Sequence, residues 1–164
     1  MREDQGLPGG IQTTTGIRWR VRLSGVSCVM TLAGVVAVAQ PLFTADDLDD
    51  AMKGVGRQFE LVSRTIAAND FEGAKVRVTR AREQLSPTIS FWRNHRRDDA
   101  VEMVRAATRS LDDLDTALSE PTIDTDAVTA AAGAVQAACD ACHTVYREPE
   151  PGTEAFRLKR GAVE

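Results

Sequence analysis

The chain has 164 residues, 43% of them hydrophobic and 27% charged, with a net charge of −4. That is enough apolar material for one ordinary globular domain. The acidic balance argues against nucleic acid as a partner, and three cysteines are too few for a disulfide framework.

Residues 1–39 read as a signal peptide rather than as part of that domain. Arg18, Arg20 and Arg22 form a basic region, and an apolar run follows from Leu23 to Val38. Ala37-Val38-Ala39 then precedes Gln40-Pro41, the small-residue pattern of a secretory cleavage site. This predicts a mature protein that begins at Gln40 in the periplasm. The competing reading is an uncleaved anchor holding the protein at the membrane, because Leu23–Ala39 is 17 residues, the lower edge of a bilayer span. Cys28 lies within the run, but Gly25 stands where a lipoprotein box wants Leu. Without residues 1–39, which carry four arginines and two acids, the net charge falls to −6.

Residues 40–148 carry helical periodicity. The first helix starts at Thr44, a good N-cap, with Asp46, Asp47, Asp49 and Asp50 at its positive end. Its apolar stripe is Leu48, Met52, Val55, Phe59, Val62 and Ile66, and Asn69-Asp70 ends it. The second helix carries Phe71, Ala74, Val78, Ala81 and Leu85, and Ser86-Pro87 interrupts it. Thr88–Arg93 forms a short helical turn that lays Ile89, Phe91 and Trp92 over one end of the core. Arg93, His95, Arg96 and Arg97 make a basic connection, with His95 expected at the end of the fold opposite the cysteines described below. Asp98 and Asp99 open the third long helix, striped with Val104, Ala107, Leu111, Leu114 and Leu118. After a turn at Pro121, Asp124 caps the last one. Residues 149–164 read as an irregular tail. Four helices with short connections predict an all-α fold, an antiparallel up-down-up-down four-helix bundle.

The last helix holds the chemistry. Its apolar positions 128, 132, 135, 139, 142 and 146 make a narrow seam that includes Cys139 and Cys142, and His143 follows at once. The order C-x-x-C-H is the attachment pattern of a c-type haem. Two thiols add to the two vinyl groups of one porphyrin, and the next residue offers an imidazole to the iron. On a helix, residues three and four apart share a face, so all three side chains project together. A thioredoxin-like pair wants a βαβ context, and structural zinc wants four ligands. Beyond the motif and the leader the chain has one further His, His95, and no Cys. The cofactor expected is one covalently bound haem c, with His143 as an iron ligand.

Cys139-Asp140-Ala141-Cys142-His143-Thr144-Val145-Tyr146-Arg147 on the last helix of a bundle resembles the class II cytochromes c, that is cytochrome c′ and its low-spin relatives. Met52-Lys53-Gly54-Val55-Gly56 is similar to the Met-Lys-x-x-Gly stretch of that family, whose first residue faces the distal side of the haem. The resemblance spans about Ala45–Arg147. It implies Met52 as the second metal ligand or as the wall of a ligand pocket. It also allows a homodimer. Many family members carry Arg one turn before the distal residue, near a haem propionate; Leu48 stands there in this chain. Arg147, one turn past His143, is the candidate for pairing with a propionate. The function expected is electron transport to redox partner proteins, with no catalytic acid–base constellation and so no enzyme activity. The alternatives are a five-coordinate gas-binding protein for nitric oxide or carbon monoxide, and a haem subunit of a membrane electron-transfer complex.

Overall fold

Helices dominate the structure, a computed structural model that describes residues 43–163; the leader lies outside them. The elements are α1 (Ala45–Ala67), α2 (Phe71–Leu85), α3 (Thr88–Asn94), α4 (Asp98–Ala117), α5 (Thr125–Tyr146), β1 (Arg147–Pro149) and β2 (Phe156–Leu158). The chain is therefore mostly helical, as its periodicity predicts. No helix among the described residues is long and apolar enough to cross a membrane.

Local chemistry sets most boundaries. Thr44 and Asp47 form a reciprocal capping box at the start of α1, with Thr44 N–H donating to Asp47 Oδ2 at 2.8 Å. Asn69 adopts φ 57°, a left-handed conformation that Asn tolerates, and lets the chain reverse into α2. Asp70 then caps α2 by accepting from Gly73 N–H at 2.9 Å. A Cβ at position 73 would crowd that carboxylate and force it to shift, so Gly leaves the cap undisturbed. Asp124 caps α5 in the same manner, accepting from the Asp126 and Ala127 amides.

The helices form two close pairs, α1 with α2 and α4 with α5, and α2 joins them through α4. The pairs are hairpins. Gly54 lies level with Gln84 across the turn at Asn69, close enough that a Cβ at Gly54 would sit 2.5 Å from Gln84 Oε1. Asp99 and Tyr146 meet in the same way across the turn at Pro121. The stripes predicted for α1, α2 and α4 supply the core: Leu48, Val55, Val62, Ala74, Val78, Ala81, Leu85, Val104, Ala107, Leu111 and Leu114 are all buried. Burying each large aliphatic side chain contributes about 1.5–3 kcal/mol.

The short α3 closes one end, touching α1, α2 and α4. Phe91 and Trp92 are its buried pair, set edge to face with centroids 5.1 Å apart. Trp92 also leans on the Tyr146 ring at the end of α5, at 4.7 Å. The connection from α3 to α4 therefore lies at the same end as the cysteine-bearing end of α5. This corrects the expected position of His95, whose ring packs on Phe91 at 4.5 Å. The reason is topological: α4 leads away from the connection and α5 leads back. The opposite end is marked by a cleft of about 340 Å³ where Asn69–Phe71 meets Leu118–Glu120.

The tail is not irregular. β1 and β2 pair antiparallel, Arg147 opposite Leu158 and Pro149 opposite Phe156, around a turn with Gly152 at φ 80°. Lys159 N–H donates to Tyr146 C=O at 2.8 Å, and Ala162 is buried. Pro149 sits in a two-stranded ribbon, where every strand is an edge and a missing N–H is tolerated. A three-residue strand is too short for alternation to reveal it in sequence.

Candidate functional site

Cys139, Cys142 and His143 lie together on the last two turns of α5, all three half-buried. Both cysteines pack against the hydrophobic core, and neither is bridged. Val128, Val135 and Tyr146, on the same seam, are fully buried. The cysteines thus occupy the partly open stretch of an otherwise covered stripe.

The electrostatics of the trio follow from that position. Burial pushes the Cys142 thiol up to about 11, with the Cys139 and Asp99 charges adding to it. Burial raises Cys139 too, and Asp140 beside it acts in the same direction. Both groups are therefore thiols, not thiolates, at neutral pH. His143 moves the other way: burial and the nearby Arg147 charge lower its pKa, against a smaller opposing pull from Asp140. Its imidazole is held in the neutral form that can ligate a metal.

Met52 sits on α1, half-buried against the same core. Phe59 and Ile66 continue its face and are also half-buried. On α5, Ala131, Ala132 and Ala138 are packed on the core but partly open. α1 and α5 barely touch, in contrast with the close α1–α2 and α4–α5 pairs. The helix bearing Met52 and the helix bearing the cysteines thus both keep half-open apolar faces. Among the described residues no group of three or more His, Cys, Asp or Glu side chains converges to hold a metal ion.

Arg147 reaches two neighbours. Its guanidinium stacks on Phe156 of β2, 3.7 Å from the ring centroid, and Nη1 lies 3.4 Å from His143 Nδ1. The tail hairpin, which periodicity did not disclose, is what gives this arginine its place.

A polar network that sequence reading missed fixes the end of α5. Tyr146 Oη donates to Asp99 Oδ2 and accepts from Arg97 Nη2 at 2.8 Å. Arg97 also pairs with Asp99 at 3.3 Å and donates to Ala162 C=O at 3.0 Å. One arginine thereby ties together the start of α4, the end of α5 and the tail. The chain reaches this geometry through Arg96, whose φ of 54° turns the backbone so that Arg97 N–H meets Trp92 C=O at 2.9 Å. In sequence Arg97 is only one member of a basic run, because charge in sequence carries no sign of its partner.

Tyr146→Phe is expected to lower stability by about 1 kcal/mol, the net value of a hydrogen bond of this kind. The effect has a pH window. Hydrogen bonds from Arg97 and Tyr146 hold the Asp99 carboxyl down at about 2. Its contribution is present above the ordinary carboxylate value and is lost as pH falls toward 2. Burial and the bond to Asp99 raise Tyr146, so its share is lost as pH climbs past 10. Denaturant melts of both proteins across pH should show the difference near neutrality and its decline at both extremes.

No known family profile, curated protein or solved structure matches the chain.

Proposed function

We propose that this chain is an exported, periplasmic c-type cytochrome of the class II kind, carrying electrons through one covalent haem. The observation that carries the reading is the trio on α5: two unbridged thiols and a neutral imidazole, together on the partly open stretch of an apolar seam. Rival uses of the same residues fit less well. A dithiol redox pair works through a depressed thiol pKa, and both thiols here are raised. A zinc site needs converging ligands, and none converge among the described residues. A haem asks for two separated sulfurs and one nitrogen, which is this donor set.

In this reading the two hairpins assemble as an up-down-up-down bundle, with α3 as a lid and α5 as the haem helix. The bound haem supplies a one-electron iron couple. Cys139 and Cys142 fix its edge to α5 so that it is not lost on either side of the cycle. His143 holds the iron from α5. Met52 approaches from α1, where a thioether ligand favours the ferrous state and raises the potential. Phe59 of α1 and Ala138 of α5 exclude water along the ring. Arg147, held by Phe156, offers its charge on the His143 side. The acidic mature chain, at −6, suits redox partner proteins rather than nucleic acid.

The test is an optical spectrum of the protein matured in a host that attaches c-type haem, recorded with and without carbon monoxide. A low-spin spectrum indifferent to carbon monoxide is the expected result. A high-spin spectrum that shifts on adding the gas would move the reading to a gas-binding protein.

A further inference from the structure

Three buried side-chain polar atoms among the described residues have no hydrogen-bond partner: Gln58 Oε1, Gln84 Oε1 and Trp92 Nε1. The two glutamines are only half-buried and offer acceptors on the helices of the α1–α2 hairpin. Trp92 differs in kind. It is 2% exposed, and its orphaned atom is a donor. Leaving a buried donor unpaired is costly, so such a group in a folded chain calls for a partner.

The surroundings of Trp92 narrow down what that state contains. Its ring is wedged between Phe91 and Tyr146, and its own C=O is taken by Arg97 N–H. The neighbouring phenol is already engaged, donating to Asp99 and accepting from Arg97. Nothing in the network therefore turns toward the indole. Tyr146 lies one turn beyond Cys142 on the same seam, so the indole sits beside the apolar stretch assigned to the haem. Leu48, buried on α1, cannot donate to a carboxylate. A porphyrin that carries two propionates into this region brings acceptors and needs donors.

We infer that Trp92 is a cofactor-binding residue: its indole N–H donates to a carboxylate of the bound haem. The inference rests on the haem reading above. It assigns to α3 a second task besides closing the core. Trp92 positions the cofactor from α3 and supplies one hydrogen-bond donor to a carboxylate withdrawn from water.

Trp92 is the only tryptophan beyond the leader, the other being Trp19, so its signal stands alone in a protein that begins at Gln40. Ultraviolet resonance Raman of the matured, haem-bearing protein should show the indole mode of a hydrogen-bonded N–H. The haem-free double variant Cys139→Ala/Cys142→Ala should show that of a free one. Trp92→Phe keeps an aromatic ring against Tyr146 and removes only the donor, so the propionate bending mode excited through the haem should shift. A free indole in the covalently loaded protein overturns the inference, as does an unmoved propionate mode in Trp92→Phe. If that variant does not fold, the indole mode of the unaltered protein decides alone. Haem that extracts from the unaltered protein would overturn both this inference and the proposed function. Covalent haem with a free indole overturns this inference only.

Discussion

Replacing Cys139 and Cys142 together with alanine should convert a haem that survives denaturation on the polypeptide into one that leaves it. The unaltered protein, matured and then unfolded in acidified organic solvent, should keep its colour in the protein phase. The double variant should lose all of it. The change in cofactor retention is total because no other cysteine, and so no other source of a thioether to a porphyrin vinyl group, lies beyond the leader. The fold should respond far less. Each side chain is half-buried and alanine keeps the helix, so the cost is about 1 kcal/mol per site and the helical content persists. The single variants separate the two bonds, since a vinyl left unreacted stays conjugated with the ring and shifts its absorption to longer wavelength. Colour that extracts from the unaltered protein would end the proposal.

Met52→Leu should produce the second large effect. Leu is close to Met in volume, so the core change costs under about 1.5 kcal/mol. Ligand chemistry changes completely, because a hydrocarbon cannot coordinate iron. The expected variant is high-spin, takes up carbon monoxide readily, and has a lower reduction potential than the parent. A charge-transfer band of thioether-ligated ferric haem should be present before the substitution and gone after it. If the parent is itself high-spin and binds carbon monoxide, Met52 is a wall of the pocket and not a ligand. The half-buried position of Met52 is compatible with either geometry; the electronic state distinguishes them.

Much of the helical framework was legible because its signals are local. Thr44, Asp70 and Asp124 cap α1, α2 and α5 as their side chains predict, and the stripes of α1, α2 and α4 fall on buried residues, except that Met52, Phe59, Ile66 and Phe71 are half-buried. The Cys139–His143 spacing places its trio on one helix region for the same reason. What sequence did not reveal depends on contacts between distant residues. Arg97 bonds Ala162, and Tyr146 bonds Asp99, across separations of 65 and 47 residues. No periodicity encodes such partners. The β1–β2 hairpin was missed because three-residue strands carry no pattern. The place of His95 is not local either: it follows from the directions of α4 and α5, which together bring the α3–α4 connection to the end of α5. Trp92 was legible as a core residue, but the isolation of its indole nitrogen is a property of the assembled neighbourhood.

The tie from Arg97 to Ala162 has a consequence for the order of folding. Each helical hairpin closes a short loop and can form quickly from nearby sequence. The last turn of α5 cannot be secured in this way, because its anchor at Lys159–Ala162 is added after everything else among the described residues. A nascent or C-terminally shortened chain therefore carries Cys139, Cys142 and His143 on a helix end that frays. An unwound end exposes both thiols more fully than a half-buried pair on a finished helix does. Once residues 156–163 dock, the same turn is held by the Lys159–Tyr146 and Arg97–Ala162 hydrogen bonds. The tail thus acts as a latch on the end of α5: in the proposed haem reading, the sulfurs are easiest to reach before residues 156–163 dock.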